Sequence, residues 1–313
     1  MHIALDVLPF AMAGYDAMRM CCWAQYNDDA VKDLLAHGNT VFVTPLPPAT
    51  VDANTSTISV YFVALDAFLT PLKGHDVYLL LQGVPVLGAP MESDAYVPRF
   101  AEYMKQVFAH LAANGIDEGR VALYTFDEPG GNGWNSVHQY TAFARQALKA
   151  RPGLKFYVNG GGDLPMFEEF AEYAGVWSPS YYMLPEQSPE MAVLRKSGKT
   201  LWSYDCGYVF SRPGGPNTKT VNVVAQYRLS AVIAMNYGAT GIGWWCYNQG
   251  PSMWDPIPFE YPLVYTNPDG TTASSRRWEA VREGVEDARI LIALREKLAD
   301  NSVSAGAKEK IRD

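Results

Sequence analysis

At 313 residues, 48% hydrophobic and 19% charged, the chain is long enough to bury a full core without disulfide or metal staples. Its net charge of −8 leaves no basic field to release counterions from a phosphate backbone, which argues against a nucleic-acid partner. No run of about 18 apolar residues reads as a membrane span.

In chain order, short apolar runs rich in β-branched and aromatic residues alternate with longer amphipathic stretches. The spacing predicts a strand at 18–24, a helix at 29–36 and a strand at 40–44. A further apolar run at 58–63 reads as an excursion of that second strand, before a helix at 64–72 and a strand at 77–82. A long helix at 95–114 stops at Asn114-Gly115, and a strand follows at 121–126. Then come a helix at 136–150, a strand at 155–159, a helix at 164–173, a strand at 176–182, a helix at 189–195 and a strand at 201–204. A helix at 221–237, a strand at 241–247 and a helix at 275–300 complete the series.

Strict alternation means parallel strands joined by right-handed crossovers. Eight such units fit an α/β fold made of a single (β/α)8 TIM barrel better than an open doubly wound sheet, which more often carries a phosphate-binding glycine turn after its first strand. The glycine clusters at 130–133 and 160–162 spell neither GxGxxG in a strand–turn–helix context nor GxxxxGK[ST]. The expected organisation is an extended lead-in at 1–15, a barrel at 16–300 and a polar tail at 301–313. The start, MHIALDVLPF, lacks the basic n-region and cleavage site of a signal peptide, so the chain as written reads as cytoplasmic, or as secreted or periplasmic if its N-terminus is truncated.

Metal and cofactor chemistry have little support. Cys21, Cys22, Cys206 and Cys246 form no CxxC and sit in apolar runs, so they are expected to be buried thiols. The five histidines are scattered singly, and no metal site or cofactor is expected.

A barrel places its active site at the C-terminal ends of the strands. Trp23 stands at the first such end, Gln82 at the third, Asp127-Glu128-Pro129 after the fourth and Asn159 at the fifth. Tyr182 stands at the sixth, Trp202, Tyr204 and Asp205 at the seventh, and Trp244 and Trp245 at the eighth. Carboxylates, amides and aromatic rings converging on one rim suit a sugar, whose apolar face stacks on rings and whose hydroxyls need polar partners. Trp177 and Trp278 are assigned to packing. Trp244 and Trp245, adjacent on a strand, must face opposite ways, so only one can enter the site. The adjacent carboxylates Asp127 and Glu128 follow a strongly apolar strand. Burial and a neighbouring charge raise a carboxyl pKa, so one of the two can hold a proton while the other stays ionised. Both can address one substrate only if the chain bends there, and Pro129-Gly130-Gly131 makes a bend plausible.

The segments YTFDEP (124–129), LWSYDC (201–206), GIGWWCYN (241–248) and SRRWEAVREGVED (275–287) together resemble the catalytic domain of glycoside hydrolase family 123. The resemblance runs from about Met18 to Leu298. It implies a β-N-acetylgalactosaminidase or related β-N-acetylhexosaminidase that works by substrate assistance, the sugar's 2-acetamido oxygen attacking the anomeric carbon to give an oxazolinium intermediate. On that likeness Glu128 is the general acid/base and Asp127 orients the acetamido nitrogen. Tyr204 or Tyr182 bonds the acetamido oxygen, and Trp202 with Trp244 or Trp245 encloses its methyl group and the sugar face. Family members usually carry a β-sandwich before the barrel, and His2–Phe10 would be the remnant of that linkage.

Two other readings compete. A conventional retaining glycosidase would keep Glu128 as acid/base and use Asp205 as nucleophile, with carboxyls about 5–5.5 Å apart. A barrel that binds carbohydrate without cleaving it would share the aromatic rim, but would have no use for a proton donor.

Overall fold

In the computed structural model, residues 11–205, 224–249, 254 and 261–312 are described. The lead-in at His2–Phe10 and Cys206 lie outside them.

The chain runs β1 (Arg19–Cys22), α1 (Asp28–Ala36), β2 (Val41–Pro45), β3 (Ala49–Val51), β4 (Ile58–Val60), α2 (Val63–Leu69), β5 (Tyr78–Gln82), α3 (Tyr96–Ala113), β6 (Val121–Tyr124) and α4 (Trp134–Ala150). It continues through β7 (Phe156–Asn159), α5 (Leu164–Ala171), β8 (Ala174–Ser178), α6 (Pro189–Ser197), β9 (Thr200–Leu201), β10 (Ser203–Asp205), α7 (Val224–Asn236) and β11 (Gly241–Trp244). The short pair β12 (Tyr265–Thr266) and β13 (Thr272–Ala273) precedes α8 (Arg276–Ala299) and α9 (Ala305–Arg312), the latter lying in the polar tail.

One sheet has the order β10-β11-β1-β2-β5-β6-β7-β8-β9 and all its pairings are parallel. β9 passes through Trp202 directly into β10, so the two ends of the sheet are halves of one strand. A parallel bridge between Ser180 and Tyr204 joins them to β8 and brings the barrel round on itself. This is the expected (β/α)8 barrel. The run near Ile58 forms an antiparallel hairpin with β3, outside the barrel.

Several elements begin and end where their residues dictate. The Asn27 side chain caps α1 by accepting from Ala30 N at 2.8 Å, with Asp28 and Asp29 in the first turn. Ser275 caps α8 through Arg277 N and Trp278 N. α3 ends at Asn114, with Gly115 at φ +79°. β8 starts earlier than the predicted 176–182 and stops at Ser178, where Pro179 has no N–H to continue a ladder and the chain turns at Tyr181–Met183.

Strand alternation divides the core. One set, including Trp23, Leu80, Tyr124, Tyr157, Trp202 and Tyr204, packs inside the barrel. The other, including Phe42, Leu81, Phe156, Trp177 and Trp244, packs between barrel and helices. Cys21, Cys22 and Cys246 are buried within these layers. Gly284 sets the seat of α8, since a Cβ there would stand 2.0 Å from the backbone oxygen of Arg228 in α7.

Candidate active site

A pocket of about 420 Å³ opens at the C-terminal ends of the strands, lined by Trp23, Gln82, Tyr124, Asp127, Glu128, Asn159, Tyr204, Trp245 and Tyr261. Each barrel strand that contributes does so by the last of its inward-facing residues. Tyr78 and Leu80 point into the barrel, so Gln82 follows them into the pocket. Likewise Ala122 leads to Tyr124, Tyr157 to Asn159 and Trp202 to Tyr204. On the last strand Gly241 and Gly243 take the inward positions. A Cβ on Gly241 would meet the Trp202 indole at 2.7 Å, and one on Gly243 would meet Trp23 at 3.0 Å and Tyr204 at 3.3 Å. These two glycines make room for the aromatic floor and leave Trp245 as the strand's contribution.

The carboxylate pair sits just past β6. Both members reach the pocket because Glu128 has φ +41°, a left-handed backbone that breaks the strand alternation. Gly130 and Gly160 allow the neighbouring loops to close on this bend. A Cβ on Gly130 would lie 2.2 Å from the Gly161 oxygen, and one on Gly160 3.0 Å from Glu128 Cβ and Cγ. Asn132 Nδ2 fastens the turn from outside, donating to the backbone oxygens of Asp127 at 2.8 Å and Glu128 at 3.2 Å.

The two carboxylates differ in surroundings. Oδ1 of Asp127 accepts from the Tyr124 hydroxyl and from Asn159 Nδ2 at 2.9 Å, while the side chain remains exposed to the pocket. Oε1 of Glu128 accepts from the Tyr204 hydroxyl, and the Glu128 amide donates to Asn159 Oδ1 at 3.0 Å. Burial, and then the charge of Asp127, raise the Glu128 carboxyl above the usual glutamate range. Burial first, then Tyr157 and Asp127, push Tyr124 far up, so its hydroxyl stays a neutral donor to Asp127. Glu128 is thus shifted toward its proton-bearing form, while Tyr124 and Asn159 brace Asp127 as an acceptor.

Of the residues expected to bind substrate, Tyr204, Trp245, Asn159 and Trp23 reach the pocket with Asp127 and Glu128. Trp202 does not. It faces inward but one level lower, with its indole 5.2 Å from Tyr78 and 6.1 Å from Tyr157, so it forms the floor beneath the site. Trp244 faces outward and packs on Tyr227 of α7 at 4.8 Å, as alternation with Trp245 requires. Tyr182 lies in the turn beyond β8, 52% exposed and outside the pocket lining. Asp205 ends β10, and its side chain lies outside the described residues. Trp177 and Trp278 are fully buried packing residues.

Gln82, named at the third strand end, also lines the pocket, whereas two lining residues, Tyr124 and Tyr261, were given no place in the sequence-based site. Tyr124 carried a usable signal, being the last inward position of its strand. Tyr261 had none, because it enters from the segment beyond β11, where its backbone oxygen accepts from Cys246 N at 3.3 Å. The wall it shares is tied together by Asn248, whose amide exchanges hydrogen bonds with the Gln25 backbone at 2.7 and 3.2 Å. Among the described residues no group of three His, Cys, Asp or Glu could hold a metal ion. No described helix is long and apolar enough to cross a membrane.

A family model, Glycoside hydrolase 123, catalytic domain, matches residues 82–294, more than half of the chain. No curated protein matches. Among solved structures, a family 39 glycoside hydrolase from the gut symbiont Bacteroides cellulosilyticus WH2 superposes with a TM-score of 0.55 at 11% identity, over 90% of this chain. This chain spans 64% of that structure's length. A GH10 xylanase with a bacterial Ig-like domain, from termite gut, gives 0.53 at 12% identity, over 89% of this chain and 77% of its own. A GH30 endoxylanase from Clostridium papyrosolvens C71 gives 0.50 at 11%, over 90% and 72%. At such identities the likeness to these structures establishes the barrel fold alone.

Proposed function

The chain belongs to glycoside hydrolase family 123 and is a glycosidase acting on a glycan, and from that premise we propose that it removes a β-linked N-acetylgalactosamine, or a related N-acetylhexosamine, by substrate-assisted catalysis with retention. The observation that carries the reading is the unequal bonding of two adjacent carboxylates in one pocket. Oδ1 of Asp127 is occupied by Tyr124 and Asn159, and among the described residues none hydrogen-bonds Oδ2. An acetamido N–H is a donor suited to that oxygen.

In this reading the acetamido carbonyl oxygen forms a bond to the anomeric carbon as the glycosidic C–O bond breaks. Glu128, whose carboxyl is raised by burial and then by Asp127, gives its proton to the leaving oxygen. Asp127 accepts the acetamido N–H and stabilises the positive charge that spreads onto nitrogen in the oxazolinium ring. Water then attacks the anomeric carbon and passes a proton to Glu128, and the ring reopens to the acetamide with the anomeric configuration retained. Tyr204, whose single hydroxyl proton is given to Glu128 Oε1 in the free site, turns it to the acetamido oxygen once substrate is bound. Trp23, Trp245 and Tyr261 offer ring faces to the apolar side of the sugar.

The test compares aryl β-glycosides that differ only at the 2-position. The 2-acetamido substrates should turn over and the 2-hydroxy galactoside barely at all, and a thiazoline mimic of the intermediate should inhibit strongly. Comparable rates for the two 2-substituents would overturn the reading in favour of a protein nucleophile. Galacto- and gluco-configured 2-acetamido glycosides, run side by side, assign the sugar.

A further inference from the structure

Asn159 is 4% exposed, and its amide is committed on both sides to the carboxylate pair. Oδ1 accepts from the Glu128 backbone N–H at 3.0 Å. Nδ2 donates to Asp127 Oδ1 at 2.9 Å and lies 3.2 Å from the Tyr124 hydroxyl, which itself donates to the same Asp127 oxygen. The orientation of the amide is fixed by its partners, because a backbone N–H can only donate and a carboxylate can only accept. A side chain at this position must therefore be an acceptor on one edge and a neutral donor on the other. A carboxylate has no donor, an alkyl group has neither function, and a hydroxyl would have to serve both edges from a single oxygen.

The two contacts act on different properties. The bond to Glu128 N holds the residue whose φ of +41° swings its carboxyl into the pocket. The bond to Asp127 Oδ1 fixes the orientation of that carboxylate, whose side chain lines the pocket. Gly160, the next residue along, has φ +89° and packs against Glu128 Cβ and Cγ, so the end of β7 is shaped to this contact.

We propose that Asn159 is a positioning residue that lets two consecutive residues work as one acid/acceptor pair, acting through Asp127 and Glu128 and not on the sugar. The inference rests on reading those two carboxylates as the catalytic pair.

The experiment uses the full chain and the variants Asn159→Ala and Asn159→Asp, scored per folded enzyme after thermal melting, with kcat and KM followed against pH on an aryl 2-acetamido glycoside. Asn159→Ala should lose about a hundredfold in kcat, the scale of a misplaced reacting group, with KM changed only a few-fold. Asn159→Asp keeps the acceptor for Glu128 N but sets a second carboxylate beside Asp127. The pair then holds a proton to higher pH, so the acid limb of kcat should move upward. A purely structural residue would lower the folded fraction and leave that limb in place. A wild-type acid limb in Asn159→Asp, or a loss confined to KM in Asn159→Ala, would overturn the proposal. If Asn159→Ala does not fold, the pH profile of the near-isosteric Asn159→Asp decides alone. Should the wild-type enzyme prefer a 2-hydroxy glycoside, the amino-sugar reading fails, and the same variants are scored on that substrate.

Discussion

The Tyr204 hydroxyl, on β10, donates a hydrogen bond to Oε1 of Glu128, on the loop after β6. The contact crosses the barrel mouth and places a neutral donor beside the proposed acid. Such a bond favours the ionised carboxyl, opposing burial and Asp127, which raise it. Tyr204→Phe should therefore move the alkaline limb of kcat/KM to higher pH. It should also cut turnover of 2-acetamido glycosides by about 10²–10³, as loss of one donor to a developing charge does. An unshifted limb with full activity would remove Tyr204 from the site's chemistry.

Glu128→Gln keeps the shape of the side chain and removes its titrating proton. Glycosides with poor leaving groups should lose about 10²–10⁴ in rate, and aryl glycosides with activated leaving groups should lose less. The comparison is made by steady-state kinetics across a series of leaving groups. Equal, small losses throughout would move the acid role elsewhere.

Asp127→Asn removes the neighbouring charge that helps hold the Glu128 proton. The acid form of Glu128 is then lost at lower pH, and the alkaline limb of the rate profile should shift downward. Turnover of the 2-acetamido substrate should fall, while binding of the product sugar, measured by calorimetry, changes little. A limb that stays in place would show that burial alone sets the Glu128 proton.

A second ionisable cluster lies outside the site and predicts a stability profile. Asp33 accepts from Tyr247 at 2.7 Å and Trp278 at 2.8 Å and faces His37 Nδ1 at 3.1 Å, while His37 Nε2 lies 3.3 Å from Glu279. Burial would raise Asp33, but hydrogen bonds from His37, Tyr247 and Trp278 outweigh it and lower its pKa. Burial would lower His37, but Asp33 and then Glu279 outweigh it and raise its pKa. Asp33 thus stabilises the fold above its unfolded pKa, and that contribution is lost as pH falls through its folded value. His37 stabilises below its unfolded pKa and loses that contribution as pH rises through its folded value. Both contribute fully between about pH 4 and 6.5. Tm measured against pH should decline on either side, and His37→Gln should flatten the alkaline decline. Persistence of that decline in the variant would place its origin in other groups.

Gly284→Ala tests the seat of α8. With its Cβ 2.0 Å from the Arg228 backbone oxygen, the helices must part, and the cost should be about 1–3 kcal/mol. Denaturant melting reads this directly, and an unchanged midpoint would mean that α7 yields freely. The glycine belongs to the segment 275–287 that marks the family resemblance, so part of that signature is packing and capping and not chemistry.

The sequence by itself determined the barrel and the location of the pair. Apolar runs alternating with amphipathic stretches follow from burial on both strand faces, and strand ends follow from turn residues, so the strand containing Val121–Tyr124 and the carboxylates after it were legible from local pattern. Period-2 alternation also separated Trp245 from Trp244. Depth was not legible. Trp202 and Tyr204 share an inward face, and only the stagger of strands around the barrel decides that one is floor and the other wall. Nor was the route by which Asp127 and Glu128 share one pocket. The left-handed Glu128 backbone depends on glycines 130 and 160 and on an amide from another strand, Asn159, whose partners lie about thirty residues away in the chain. Local propensity acts over a few residues, whereas these contacts exist only once parallel strands have set their register, and so they belong to the tertiary structure.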